Sequence, residues 1–136
     1  MSEENLELTR RYFEVFNAHG LDAVVELWHP DIELYDPPDF PDADRYVGVG
    51  AVRERAESYL ELGWDGQFRN PEYVDAGEEV VVVWEMRGRT AHGGGFPAEA
   101  VGVKIAQVFL FESGKVRRLR QYLSRSQALE AAGLSE

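Results

Sequence analysis

Between residues 3 and 18 the side chains Leu6, Thr9, Tyr12, Phe13, Val15 and Phe16 recur at helical spacing, while Arg10, Arg11 and Glu14 take the other side. The pattern predicts an amphipathic helix that His19-Gly20 terminates. Leu21, Val24, Val25, Leu27 and Trp28 resume the same period, which predicts a short second helix stopped by Pro30. Ile32-Glu33-Leu34-Tyr35 then alternates like a half-buried strand and runs into Asp36-Pro37-Pro38, where two prolines prevent continued pairing. Residues 38–48 read as a loop, and Val49 to Leu62 as a third helix with Val52, Ala56, Tyr59 and Leu60 inward, ended by Gly63.

From Gln67 onward the period changes to two. Phe68–Val74, Val80–Thr90, Glu99–Phe111 and Lys115–Leu123 read as strands, separated by Asp75-Ala76-Gly77-Glu78, by His92-Gly93-Gly94-Gly95-Phe96-Pro97 and by Glu112-Ser113-Gly114. A short closing helix is expected from Ser126 to Ala132. Helices early and strands late predict a single α+β domain over residues 1–136, in which a strongly curved antiparallel sheet is covered by three N-terminal helices. Helices of this length close one end of such a concavity and leave a hollow middle, where small ligands bind.

Composition narrows the function. Fourteen Lys+Arg against 25 Asp+Glu give a formal charge of −11, which repels phosphate backbones and anionic lipid and predicts no nucleic-acid partner. The absence of cysteine excludes disulfides, thiolate nucleophiles and thiolate-bound metals. Three scattered histidines, His19, His29 and His92, lack the paired spacing of a metal site, so neither metal nor cofactor is expected. His19 and His29 read as cations at helix C-termini. The Met1-Ser2-Glu3-Glu4-Asn5 start lacks the basic and apolar regions of a secretory signal, and no apolar run is long enough to span a bilayer. A cytoplasmic protein is expected.

Two side chains stand out as chemistry. Tyr12 lies on the inner helix face and Asp36 at a strand end, so both can look into one hollow. Each also has an ordinary reading, Tyr12 as a core ring and Asp36 before proline as a turn former. A carboxylate at the rim of an apolar pocket is a stronger base, and a phenol opposite it donates a hydrogen bond to a developing oxyanion. That pair is sufficient to move a proton next to a carbonyl without a cofactor.

The stretches Arg11-Tyr12-Phe13-Glu14-Val15, Gly20-Leu21-Asp22-Ala23-Val24-Val25-Glu26-Leu27 and Pro30-Asp31-Ile32-Glu33-Leu34-Tyr35-Asp36-Pro37 resemble the opening of the NTF2-like superfamily. Gln107-Val108-Phe109-Leu110-Phe111, Gly114-Lys115-Val116 and Gln121-Tyr122-Leu123 resemble its final hairpin, and the SnoaL-like polyketide cyclases and ketosteroid isomerases are the nearest branches. The resemblance implies a cone-shaped fold, a small hydrophobic or polyketide-like ligand and a homodimer. It places Tyr12 at the oxyanion tyrosine of the isomerases, Asp36 at their proton-shuttling aspartate, and Gln107 where they keep a protonated aspartate. An amide donates more weakly than a carboxylic acid, which separates this chain from steroid isomerisation. Arg87-Gly88-Arg89 lacks the acid of the related epoxide hydrolases, and Glu99 sits near a turn.

Phe16, Trp28, Phe40 and Tyr59 from the helical half are candidate pocket residues, as are Trp64, Trp84, Met86, Ile105 and Leu123 from the sheet half. At periodic positions such residues also build plain core. Two functions follow: a cofactor-independent isomerase or cyclase with Asp36 as base and Tyr12 and Gln107 as donors, or a non-catalytic ligand-binding or dimerising module in which apolar outward positions of the last strands pair with a second copy.

Overall fold

The computed structural model describes residues 2–86 and 103–134, so Arg87-Gly88-Arg89, His92 with its glycine run, and Glu99 lie outside the described residues. Its elements are α1 (Ser2–His19), α2 (Leu21–Val24), a 3₁₀ turn (Val25–Leu27), β1 (Trp28–Tyr35), β2 (Arg45–Val47), α3 (Val49–Glu61), β3 (Arg69–Ala76), β4 (Glu79–Met86), β5 (Val103–Glu112), β6 (Lys115–Tyr122) and α4 (Arg125–Ala131). The architecture is the expected α+β, with a curved open sheet in the order β2-β1-β6-β5-β4-β3.

Four details differ from the sequence pattern. The second helix ends early, and Trp28, His29 and Pro30 belong to a strand, because Trp28 pairs with Val116 of β6. Pro30 is tolerated there because the register slips between Trp28 and Glu33, and β2 pairs only with residues 33–35. His29 therefore caps no helix; its Nε2 lies 3.0 Å from Glu112 Oε2. The loop 38–48 hides β2, too short to show a period. In α3 Leu60 does not point inward but is 37% exposed, because the inward row of Val52, Ala56 and Tyr59 leaves it on the helix flank. Finally, β1 runs parallel to β6, while every other pairing in the sheet is antiparallel.

Register slips in β1, β3 and the β5–β6 ladder bend the sheet, as extra residues on one strand do. The β5–β6 turn takes positive φ at both Ser113 and Gly114 (55° and 77°), the twist a two-residue hairpin requires. At the other end of β6, Ser124 Oγ caps α4 by accepting from Gln127 N at 3.1 Å. Gly133, at φ 80°, closes that helix so that Leu134 N donates to Leu129 O at 2.8 Å.

The run Val80-Val81-Val82-Val83-Trp84 carries no alternation because β4 is buried on both faces. Val80, Val82, Trp84 and Met86 face the concave side with Phe109, Leu119, Ile32 and Leu34, covered by Tyr12, Phe13 and Phe16 of α1. Val81 and Val83 face the convex side with Ala106 and Val108, under Ala128 and Leu129 of α4. Phe13 packs on Phe68 at 4.4 Å and Phe109 at 5.7 Å between ring centroids, joining helix, loop and sheet.

The end of α1 is tied to the sheet by one amide. Asn17 Nδ2 donates to Phe68 O at 3.0 Å, and Phe68 N donates to Asn17 Oδ1 at 2.8 Å. Asn17→Ala leaves both backbone groups unpaired, and denaturant unfolding is expected to show a loss of about 2 kcal/mol; a change below about 0.5 kcal/mol would mean that water replaces the amide at no cost.

Candidate functional site

Beneath α1 the concave face does not close completely. A cavity of about 80 Å³ remains. Its wall takes Phe16, Leu21, Val52 and Ala56 from the helices and Ile32, Leu34, Phe68, Met86, Ile105 and Leu119 from the strands and their approaches. Trp28, Trp64 and Trp84 supply indole faces, and the polar atoms come from Tyr12, Tyr59, Gln107 and Gln121.

Each polar group is held by another. Trp28 Nε1 donates to Tyr12 Oη at 3.0 Å, and the Tyr12 ring meets Phe109 edge-on at 5.2 Å. Burial pushes the Tyr12 pKa up to about 12, against a smaller downward pull from the Trp28 hydrogen bond, so the phenol stays neutral. Across the cavity Trp84 Nε1 donates to Gln107 Oε1 at 2.9 Å, Gln107 Nε2 to Gln121 Oε1 at 3.2 Å, and Gln121 Nε2 to Tyr59 Oη at 2.8 Å and to Tyr35 O at 3.2 Å. Tyr59 Oη then donates to Asp36 Oδ1 at 2.7 Å. Burial, and next the Asp36 hydrogen bond, raise the Tyr59 pKa.

Asp36 ends this chain but does not line the cavity. Its side chain is fully buried behind Tyr59, in an ion pair with Arg55 (Nε to Oδ1, 2.9 Å). Oδ2 accepts from Tyr46 Oη at 3.1 Å and from Asp44 N at 3.2 Å. Asp36 N also donates to Asp44 O at 3.0 Å, so one residue closes the turn between β1 and β2. The Arg55 guanidinium sits 5.3 Å from the Tyr46 ring centroid and 4.8 Å from that of Tyr59, with Nη1 on Ser58 Oγ at 3.2 Å. Both carboxylate oxygens are thus occupied by donors.

Of the residues singled out in the sequence, Tyr12, Gln107, Phe16, Trp28 and Phe40 meet at this cavity, as do Tyr59, Trp64, Trp84, Met86 and Ile105. Asp36 and Leu123 do not. Leu123 is 39% exposed, because β6 ends at Tyr122 and the chain turns away into the Ser124 cap of α4. Asp36 is drawn off the wall by Arg55, a partner the sequence reading passed over. Arg55 precedes Tyr59 by one helical turn, a spacing that names no partner at a strand end. Gln121 was also passed over as a site residue, although alternation from Leu119 puts it inward and it pairs in register with Gln107. Among the described residues no cluster of His, Cys, Asp or Glu could hold a metal ion.

The family model described as the SnoaL-like domain matches residues 9–119, which takes in the cavity's helical wall and most of its sheet. The chain belongs to the SnoaL-like family. None of the curated proteins matches it. Among solved structures, Bal32a from a soil-derived mobile gene cassette is similar at 17% identity and TM-score 0.73, covering 96% of each chain. A proposed polyketide cyclase from Sinorhizobium meliloti shares 20% identity at TM-score 0.65, over 89% of this chain and 98% of its own. A proposed ketosteroid isomerase from Kribbella flavida shares 16% at TM-score 0.67, over 91% and 80%. At these identities the likeness is one of fold.

Two stability measurements probe this SnoaL-like site. Arg55→Met strands the Asp36 charge in the interior and is expected to cost about 3 kcal/mol, part of which the double variant Asp36→Asn/Arg55→Met regains; a double variant no better than the single would mean that the charge is not the cause. Tyr12 favours its neutral form in the folded state, so its contribution is complete below the ordinary tyrosine pKa of 10.0 and is lost as pH rises through about 12. The stability of the wild type is expected to fall more steeply than that of Tyr12→Phe between these values; parallel pH profiles would contradict this.

Proposed function

We propose that this chain binds a small, uncharged, largely apolar molecule in the cavity under α1. One observation carries the reading: among the described residues no Asp, Glu, Lys, Arg or His lines the cavity. A charged ligand would lose its hydration with no counterion to replace it, whereas a neutral one gains apolar contact and finds a few polar groups to orient it. The cavity is smaller than the ~150 Å³ voids known to admit benzene, so the ligand is compact or enters only in part. The names carried by structural relatives, a proposed polyketide cyclase and a proposed ketosteroid isomerase, agree with a small carbonyl compound as ligand.

A catalytic reading is favoured by the 2.7 Å hydrogen bond from Tyr59 to Asp36. Asp36 does not line the cavity, but Tyr59 both lines it and donates to Asp36. A C–H bond next to a ligand carbonyl would break as its proton passes to Tyr59 Oη and the phenol proton passes to Asp36 Oδ1. The enolate oxygen would accept from Tyr12, helped by Gln107. A homodimer through apolar outward positions of the last strands draws no support from the sheet. Ala106 and Val108 lie under α4, and beside them Arg118 and Arg120 both pair with Glu79.

Ligand-detected NMR with cyclopentanone and cyclopentanecarboxylate tests the binding. The ketone is expected to bind at least about tenfold more tightly than the carboxylate, and Leu119→Trp, which fills the cavity, is expected to abolish binding. Equal affinities, or binding indifferent to the filled cavity, would sink the proposal. Exchange of the cyclopentanone α-protons in D₂O tests catalysis. The wild type should accelerate it and Tyr59→Phe should not; equal rates rule out transfer through Tyr59.

A further inference from the structure

Two of the polar groups that line the cavity, Tyr12 of α1 and Gln107 of β5, are held in the same way. In each, an indole N–H, which can only donate, fills one acceptor position on the oxygen of the group that faces the cavity. Trp28 Nε1 occupies Tyr12 Oη, and Trp84 Nε1 occupies Gln107 Oε1. Tyr12 and Gln107 are each only 4% exposed. With its oxygen engaged, Tyr12 keeps a hydroxyl hydrogen that has no acceptor among the described residues. Gln107 gives one Nε2 hydrogen to Gln121 and keeps a second, likewise without an acceptor there.

The direction of the Gln107 amide is fixed from both ends. Trp84 demands its oxygen at one end. At the other, the Tyr35 carbonyl can only accept, so it turns the Gln121 amide nitrogen toward itself and Tyr59, and the Gln121 oxygen toward Gln107 Nε2. Inverting either amide would set donor against donor or acceptor against acceptor at a buried site.

We propose that Trp28 and Trp84 are positioning residues that turn Tyr12 and Gln107 into hydrogen-bond donors, so that the cavity selects a neutral ligand carrying a carbonyl-type acceptor over one carrying a donor. This rests on the binding reading given above and specifies the ligand's polarity. The phenol of Tyr12 is neutral over the whole physiological range, so its hydrogen is always present.

Three five-membered rings of similar size separate the possibilities: cyclopentanone accepts, pyrrole donates, and cyclopentane does neither. In the wild type, cyclopentanone is expected to bind about tenfold more tightly than pyrrole, the scale of one buried hydrogen bond. Trp84→Phe and Trp28→Phe each free an acceptor position for pyrrole and release the side chain to turn its oxygen toward the cavity, and the ratio is expected to fall toward one. A purely structural role for the indoles would change all three affinities together and leave the ratio unmoved. Replacing either indole by its benzothiophene isostere removes the N–H and keeps the bicycle, which covers the case in which a Phe variant does not fold. Equal binding of ketone and pyrrole by the wild type overturns this inference and leaves the binding proposal standing. So does a ratio that survives loss of the N–H. Binding of none of the three rings overturns both.

Discussion

The ion pair between Asp36 and Arg55 is where the separate parts of this fold are joined. Asp36 stands at the end of β1, its backbone and one carboxylate oxygen close the turn to β2, and its other oxygen holds Arg55 and Tyr59 of α3. A carboxylate with no exposure is costly to dehydrate, and it persists because four donors surround it. Its placement also decides what the cavity can be. Arg55 draws the charge behind Tyr59, so the anion anchors the wall without facing the hollow.

From that anchor a line of hydrogen bonds runs through Tyr59, Gln121 and Gln107 to Trp84, crossing from α3 to β6, β5 and β4. The concave core is otherwise aromatic and aliphatic, with Phe13, Phe16, Phe68 and Trp64 packed ring against ring. Polar atoms in such surroundings are tolerated only when they are partnered, and partnering removes their freedom to rotate. The cavity is therefore a rigid apolar space with few polar hydrogens at fixed positions, a form suited to orienting a ligand as well as holding one.

Much of this was visible in the chain itself. The helical stripe from Leu6 to Phe16, the late strands and the Gly133 stop are local patterns, and the resemblance around Tyr12 and Asp36 named the fold that the SnoaL-like match shows. The missed features depend on distant partners. Trp28 looked helical because its period continues that of Leu21 to Leu27, yet pairing with Val116, far along the chain, makes it a strand residue. Asp36 looked like a base because its burial was foreseeable and its counterion was not. Arg55 lies on a helix whose inward face reads as Val52, Ala56, Tyr59 and Leu60, and nothing local says that a guanidinium would reach around that face to a strand end.

The parallel pairing of β1 with β6 has a consequence for how the chain reaches this state. The strand formed last in sequence lies between one of the earliest and the β5–β4–β3 meander, so the sheet has no continuous centre until β6 arrives. Residues near position 34 must wait for residues near 119, a loop whose closure entropy has to be overcome before any reward. During synthesis α1, β1 and α3 emerge with Tyr12, Phe13, Trp28 and Ile32 still lacking the strands that bury them. Helices can form early, but the aromatic concavity has to be completed late, in a single closing step that links the two ends of the fold.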